Sequence, residues 1–517
     1  MPVPVLPSAG SAAGPAPPDR VEAMRTIAGR CRALRGRITD LQQALPLPAK
    51  PRVSDIQSFV RADDLQSAHL TLPGGAGITI VYFQTLVDEK DVWFHVTKPL
   101  LSGDVAADSM PSAKAVRTWG QLLRRLLVGS VVIIPEQGRA MTVHIGGLAQ
   151  RAVGAPTTER EVIAPKEAFV ERLETNVGLV RNRLHDPALR VEYLYVGRRS
   201  RTKVAMLYLG DVARPQLVRL TRSGLRSIAV DFIRTSMDVA QLTFQHGWTV
   251  FPLVDQTERP DRVAARLAEG RLAVAVDGSP FLLIVPTGFW DFQHDGESDL
   301  PGPVVATFTR SLRLLGLFMA MALPGLYVAM LSENSSLLPV RLSLLLSATR
   351  LAVPYPVATE AIFMLIVADV LAEATTQAAS SIGNALAIVG TLIVGQLMVS
   401  AHLSSNLMMI VVAASVMGSF LTLKFSLSYA PRIWKYALVL LAAVGGLIGW
   451  ATGCLLVMVH LASLESAGMP YLAPLSGEAN FAQALRIVVR PPRGRTRRRP
   501  SMLRTLQPVR ARRGGRR

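Results

Sequence analysis

The amino-acid sequence predicts an α/β region of two tandem, similar subdomains, followed by an α-helical transmembrane domain of about five spans. Three observations lead there. Between Ser54 and Pro301, short β-rich runs alternate with polar helical ones. After Pro303 charge disappears over long stretches. Leu314–Ser332, Ala374–Leu423 and Tyr436–Leu464 hold 19, 50 and 29 residues without Asp, Glu, Lys or Arg, and a helix needs about 20 such residues to cross a bilayer. The α/β region also repeats itself. Across all 517 residues only 18% are charged and the mean hydropathy is +0.32, whereas soluble chains are nearer about a quarter charged.

Residues 1–50 begin MPVPVLPSAGSAAGPAPPDR, whose six prolines and near lack of charge read as a disordered leader. It has no basic start followed by an uninterrupted apolar core, so it does not read as a signal peptide. A basic helical stretch, Val21–Leu45, follows. Residues 51–150 and 151–303 are the two expected subdomains. Strands are expected at Ile78–Phe83, Val131–Ile134, Val204–Leu209, Leu272–Val276 and Phe281–Val285, with Val276-Asp277-Gly278-Ser279 as a hairpin turn. Pro165–Leu184 reads as a helix, because Phe169, Leu173, Val177 and Val180 recur at helical spacing. Ile78–Leu100 aligns on Val204–Leu225, with Tyr82 on Tyr208, and Leu126–Gly138 aligns on Leu267–Gly278. Each half then runs strand, loop, helix, hairpin, with a period of roughly 130 residues.

Residues 304–475 make the transmembrane domain. The fifty-residue run is long enough for two crossings, with His402–Asn406 as the polar turn between them. Pro324-Gly325 should kink the first span. Leu337–Leu371 is apolar but interrupted by Arg341, Arg350, Glu360, Asp369, Pro354 and Pro356. Arg310 and Arg313 abut the first span, and Lys424–Tyr436 reads as a loop carrying Lys424, Arg432 and Lys435. Five crossings put both on the inside, so the α/β region is expected to be cytoplasmic. The same count puts residues 476–517, an Arg-rich disordered tail, on the outside. Thirteen arginines and no acid lie between Arg486 and Arg517, against a net charge of +19 for the chain. The basic character is that of a tail rather than of a folded face, and no nucleic-acid partner is expected.

Catalytic patterns find no support. Cys31 and Cys454 exclude a disulfide scaffold or a cysteine-built zinc site. The histidines form no HExxH, and the glycine-rich run 73–77 lacks the residues of a phosphate loop. No enzyme activity, metal or cofactor is expected. The acids of the apolar half are more telling, since each costs about 2.5–3.5 kcal/mol on insertion scales and so faces a bundle interior or water. Asp369 and Glu373 share a helix face; Glu360 points the other way. One of these faces reads as a cation path, although Asp369 and Glu373 equally fit a helix end in the headgroup zone. Gln396, with Gly383, Gly390 and Gly395, reads as helix packing or as path lining. Arg198, Arg199, Arg201 and Lys203 in GRRSRTK form a basic surface suited to phosphate, anionic lipid or an acidic partner, or else a solvated loop.

Five stretches occur in order: APTTEREVIAPKEAFVERLETNVGLVRNRLHDPALRVEYLYVGRRSRTKVAMLYLGDV (Ala155–Val212), TERPDRVAARLAEGRLAVAVDGSPFLLIVP (Thr257–Pro286), VPYP (Val353–Pro356) followed by Glu360, ALAIVGTLIVGQ (Ala385–Gln396) and MPYLAP (Met469–Pro474). Together they resemble the A-subunit family of bacterial spore germination receptors, the GerA family, over Val153–Pro474, with a fainter match through the first subdomain. The resemblance implies a protein of the spore inner membrane that acts with a transporter-like B subunit and a lipoprotein C subunit in nutrient-triggered exit from dormancy. It also implies a homo-oligomer that releases monovalent cations. The chain departs from the family pattern at Ala164, where glycine is expected, and at QHDGESDLPGP after Phe292, where a tyrosine-rich acidic segment is expected. It departs again at Leu351 and Leu365, where acids are expected, and at Ser405, where proline is expected. A paralogous ion channel that amplifies germination without a nutrient-sensing partner, and a membrane-anchored scaffold, are the alternative readings.

The tail yields a test. Each arginine near an anionic surface is worth about 1 kcal/mol, within a Debye length. Truncation from Arg493 onward should weaken binding of the tail peptide to anionic vesicles, measured by co-sedimentation at two salt concentrations. A preference for DNA at equal salt would assign the tail a nucleic-acid role instead.

Overall fold

The computed structural model describes residues 45–48, 51–72, 75–102, 110, 112–136, 138–145, 154–156, 159, 165–245, 248–294, 302–377, 395–421, 425–475, 485, 487–492 and 498–509. The expected leader and basic helix, Gly383, Gly390 and most of the tail arginines lie outside the described residues. The chain divides into two compact units, one reaching to Ala149 and including His185–Pro187, the other holding the remainder.

The first unit comprises α1 (Val53–Phe59), β1 (Leu65–Thr71), β2 (Gly77–Phe83), α2 (Glu89–Val92), α3 (Lys98–Ser102), β3 (Lys114–Ala115), α4 (Trp119–Leu126), β4 (Ser130–Pro135) and β5 (Met141–His144). Its strands form one antiparallel sheet in the order β1-β2-β4-β5-β3. Helix α4 begins where the Thr118 side chain accepts the Gln121 N–H. It buries Leu122, Leu123 and Leu126 in the same core as β2 and β4.

The second unit opens with α5 (Leu173–Arg183), β6 (Leu189–Val196), β7 (Thr202–Leu209), α6 (Pro215–Arg226), α7 (Ser236–Thr243), β8 (Asp255–Thr257), α8 (Pro260–Glu269), β9 (Leu272–Val276) and β10 (Leu282–Val285). Its sheet order is β6-β7-β9-β10-β8. The two sheets therefore share one topology, each with its third strand in sequence placed at an edge. Tyr82 pairs with Gln66 and Tyr208 with Arg190, at matching points of β2 and β7. Each half also has an opening strand, β1 or β6, beyond the expected pattern. The helix expected from Pro165 starts only at Leu173. Before it, Phe169 N–H donates to the Glu258 carbonyl, and the Asn176 amide pairs with both backbone groups of Val170. That pairing holds the segment extended.

Helix α9 (Phe289–Gln293) leads into α10 (Pro303–Met321), α11 (Leu323–Ser332), α12 (Val340–Ala348), α13 (Val357–Gln377), α14 (Asn406–Phe420) and α15 (Phe425–Ser463), then a short hairpin, β11 (Glu465–Ser466) with β12 (Met469–Pro470). Among the described residues, Pro303–Met321 and Ser426–Ser463 are long and apolar enough to cross a membrane by length and composition, the latter as two arms that meet at Gly446. The expected break by Pro324 is present between α10 and α11. Pro324 has no N–H for the Ala320 carbonyl, and the Ser415 hydroxyl donates to it instead at 2.9 Å. Trp450 Nε1 donates to the Ala322 carbonyl at 3.0 Å.

The final expected span, Tyr436–Leu464, is corrected by the structure. Gly446, at φ 55° and ψ −137°, breaks the helical path of α15, and the chain folds back. The Trp434 and His460 rings lie 5.9 Å apart, where a straight helix would separate them by about 39 Å. Gly453 lies against Leu438 and Leu441. Asn334 Oδ1, just past α11, accepts the Leu447 N–H at 2.7 Å and so caps the reversal. A side chain on Gly446 would strike Asn334, so the turn needs glycine on grounds of both φ and space. The expected loop Lys424–Tyr436 is corrected from Phe425 onward, where the chain is helical: Arg432 and Lys435 are on the first arm of this hairpin, and Lys424 lies outside the described residues.

Both ends of the hairpin return to the second α/β subdomain. Leu427, Ala430, Val457 and Leu461 share a core with Phe251, Phe289, Phe292 and Tyr471. The Phe289 N–H donates to the Tyr471 carbonyl at 2.8 Å, and the Ser466 hydroxyl donates to the Leu253 carbonyl at 2.7 Å. The MPYLAP stretch is thus a clasp on the subdomain. Part of the tail expected to be disordered is also docked there. Arg499 Nε donates to the Ala268 carbonyl at 2.7 Å, the Leu506 N–H to the Val212 carbonyl at 3.0 Å, and Gln507 Nε2 to Asp211 at 2.9 Å. The described tail residues 498–509 therefore lie with the α/β subdomain, not across the bundle from it as five crossings required.

The link between sheet and bundle is ionic. Asp291 on α9 takes a two-pronged bond from Arg271 (2.7 and 2.9 Å) and a further contact from Arg266 at 3.0 Å. Burial opposes ionisation of Asp291, but the two guanidiniums outweigh it and hold the carboxyl well below the usual range. Beside it, burial and then the charge of Arg310 push His294 down to about 4. The neutral ring reaches the Ile487 carbonyl through Nε2 at 2.9 Å. The unfolded state, with an ordinary histidine, binds the extra proton first. Stability from His294 should be complete above about pH 6.5 and fall by up to about 3 kcal/mol as pH drops toward about 4. Thermal unfolding of the wild type and of His294→Gln across that window should show a shallower pH slope in the variant.

Candidate functional site: paired charges in the apolar bundle

Helices α11, α13, α14 and the first arm of α15 share one core, which includes Val328, Ala361, Leu365, Met408, Val412 and Val439. Two acids enter it, and each meets a base from elsewhere in the fold. Helix α13 starts as Pro356 fixes its first turn, its carbonyl accepting the Glu360 N–H at 3.0 Å. Glu360 is 1% exposed. Its Oε2 accepts Arg350 Nε at 3.1 Å, and Arg350 also bonds the Tyr355 carbonyl of the VPYP stretch at 3.0 Å. Its Oε1 accepts the Ser405 N–H at 2.6 Å, the Ser405 hydroxyl at 2.8 Å and the Ser404 hydroxyl at 3.1 Å. Ser405 in turn caps α14 by accepting the Met408 N–H. The departure from proline at this position has a consequence: the N–H that proline lacks is a donor to Glu360.

About two and a half turns on, Asp369 accepts Lys435 Nζ at 2.8 Å and the Tyr436 hydroxyl at 2.6 Å. Lys435 is only 3% exposed. Ser415, Ser419 and Arg432 line the same cleft. Glu373 is exposed although it follows Asp369 by one turn, and Gln396, on the helical stretch 395–400, is exposed as well. The four residues expected along a cation path are therefore not brought together. Glu360 is buried and Asp369 half-buried, each in its own ion-paired cluster, and the other two are exposed. Arg350, Lys435 and Ser405 stood out in the sequence for other reasons, but neither they nor Ser404 were read as partners of these acids. The usable signal was arithmetic, since an apolar helix tolerates an acid when a base is within reach.

The basic run occupies the β6–β7 turn. Arg198, Arg199 and Arg201 are exposed, and Arg199 lies 3.6 Å from Asp231. Lys203 is turned inward to Glu174 at 2.9 Å and sits 4.0 Å above the Tyr193 ring. The Asp277 N–H donates to the Lys203 carbonyl, which places this turn at the end of the sheet remote from α9. It does not face the bundle.

Removing one partner of a buried pair leaves a charge without compensation, at a cost of about 3–5 kcal/mol. Glu360→Ala strands Arg350 and three donors and should lower the folded yield sharply. Glu360→Gln keeps an acceptor for the serines and should lose less, measured by thermal unfolding and abundance in detergent extracts.

Fold and site together define a class: tandem α/β subdomains followed in the chain by an apolar helical bundle whose inward-facing acids are neutralised from within. The model of the family described as Bacillus/Clostridium GerA spore germination protein matches residues 56–502. The chain is 31% identical over 412 residues to spore germination protein KA of Bacillus subtilis (strain 168), covering 77% of this chain and 76% of that one. It is 32% identical over 450 residues to spore germination protein XA of Bacillus anthracis, covering 84% and 91%. It also resembles the crystal structure of the N-terminal domain of the A subunit of the Bacillus megaterium spore germinant receptor GerK3, at 25% identity and a TM-score of 0.37, over 47% of this chain and 98% of that one. The chain belongs to the GerA family of spore germination proteins.

Proposed function

We propose that the chain is an A-type subunit of a spore germination receptor and that it signals nutrient-triggered exit from dormancy as a homo-oligomer with a cation-release path. Its partners in this reading are a transporter-like B subunit, a lipoprotein C subunit and the lipid of the spore inner membrane. The α/β subdomains and the docked tail lie on the cytoplasmic face. Membership of the GerA family supports the germination role. The observation that carries the path is Asp369, a carboxylate beside a hydroxyl-lined cleft within an apolar bundle. Carboxylates in such places concentrate cations and reject anions. Glu360, Glu373 and Gln396 belong to the same proposed path, Glu360 by way of an opened Arg350 pair. The exposed arginines Arg198, Arg199 and Arg201 are proposed to take an acidic protein partner.

Two measurements test this. Single cysteines at Ser336, past α11, and at Ser501, in the docked tail, should label from opposite faces of intact membranes. Labelling from one face would remove the crossing by α10 and α11. Asp369→Asn should cut cation release from germinating spores more than it lowers protein abundance. Normal release at normal abundance would end the role of Asp369.

A further inference from the structure

We propose that Asp369, Tyr436, Ser415 and Ser419 form a monovalent-cation site, and that Lys435 holds it closed by placing its own ammonium there as a tethered occupant. The inference rests on the reading of the bundle as a cation path and adds the element that keeps the path shut. Asp369 supplies two oxygens, and both are engaged from the first arm of the α15 hairpin, by Lys435 Nζ at 2.8 Å and the Tyr436 hydroxyl at 2.6 Å. The cleft beside them is lined by the hydroxyls of Ser415 and Ser419. Each hydroxyl donates its hydrogen to a backbone carbonyl, Ala320 at 2.9 Å and Val416 at 2.6 Å, so what it offers a cation is oxygen lone pairs. A carboxylate, a phenol and two hydroxyls are the hard oxygen donors that replace the water shell of sodium or potassium.

An ammonium matches such a cation in charge and needs the same acceptors. Arg432 also lines the cleft, so two bases face one acid and no free cation is drawn while Lys435 is in place. Swinging of the Lys435 stem by a few ångströms removes the ammonium, keeps Tyr436 in place, and leaves a half-buried carboxylate that a mobile cation must neutralise. Lys435 differs in this from Arg350, whose planar guanidinium is fastened at once to Glu360 and to the Tyr355 carbonyl. A lysine ammonium on a flexible stem is the easier of the two to release.

The experiment uses the full chain, purified in detergent and then reconstituted in vesicles of phosphatidylglycerol and phosphatidylethanolamine. Lys435→Met keeps the stem and removes the charge. Its melting temperature should rise when potassium chloride replaces choline chloride, because the cation binds only the folded state; the wild type should not respond. In vesicles the variant should leak potassium at least about tenfold faster than the wild type, since the fraction of open sites governs apparent occupancy. Lys435→Arg should stay tight. Asp369→Asn with Lys435→Met should lose both the potassium response and the leak, while restoring a folded yield near the wild type. Potassium stabilisation without any leak would confirm the site and overturn the path on which it rests. A leak that persists undiminished in the double variant, with no potassium response in Lys435→Met, would leave the path standing and overturn the tethered-cation role. The absence of both responses in a folded Lys435→Met protein would overturn it as well.

Discussion

An ionised carboxylate within an apolar helix bundle must find a positive partner there, and the bundle is arranged around that requirement. Asp369 and Glu360 are both on α13, nine residues apart, so they leave the helix on different sides. Each draws in a separate part of the chain. Asp369 binds the first arm of α15 through Lys435 and Tyr436. Glu360 binds the α12–α13 link through Arg350 and the start of α14 through Ser405. Helix α13 is therefore a central post, and the order of its neighbours is set by charge as much as by shape. Apolar packing alone would not choose, because lipid is as good a neighbour for leucine as another helix is.

The second constraint is that a backbone leaving its helix in an apolar setting must still satisfy its N–H and C=O groups. Among the described residues it is met three times with side chains borrowed from elsewhere in the bundle. Ser415 replaces the donor that Pro324 lacks. Trp450 reaches the Ala322 carbonyl at the same break. Asn334 accepts the Leu447 N–H where Gly446 reverses α15. Each bond fixes the height of one helix against another. The close passage of Gly316 by Gly418, with no side chain between the backbones, does the same for α10 and α14.

These borrowed bonds also explain what the sequence could and could not show. The sheets were legible because β2, β4, β7 and β9 are unbroken apolar runs bounded by turns, and because the repeat marks itself through Tyr82 and Tyr208. The flanking strands β1 and β6 were harder, being polar on one side. The turn before α14 was legible from its polar residues, His402 to Asn406. The reversal at Gly446 was not, since its polar group is Asn334, 112 residues earlier. An uncharged run therefore read as one span when it is two arms. Lys435 produced the opposite error. A charge in the sequence signals a loop, yet this charge is cancelled by Asp369 and stays within the helix. Acids were found because they stand out against an apolar background; their partners were not, because pairing is a property of the fold.

The route between the two halves of the second unit is short. Arg271 immediately precedes β9 and Arg266 is in the last turn of α8, so Asp291 ties α9 to the core of the subdomain through both. Helix α9 in turn presents Phe289 and Phe292 to Tyr471 and to the base of the α15 hairpin, at Leu427 and Ala430. Lys435 lies little more than one turn above Ala430 on that same arm. A buried ion pair resists small displacements and then fails over a short distance, because its attraction depends on direct contact in a poorly screened setting. The base of the first arm packs against α9 at Leu427 and Ala430, so one short stretch of α15 joins the aromatic cluster to Asp369. The aromatic cluster supplies the stiffness, its rings being in edge contact and closely packed. Among the described residues, Lys435 and Tyr436 join Asp369 to the arm whose base packs against the α9 aromatic cluster.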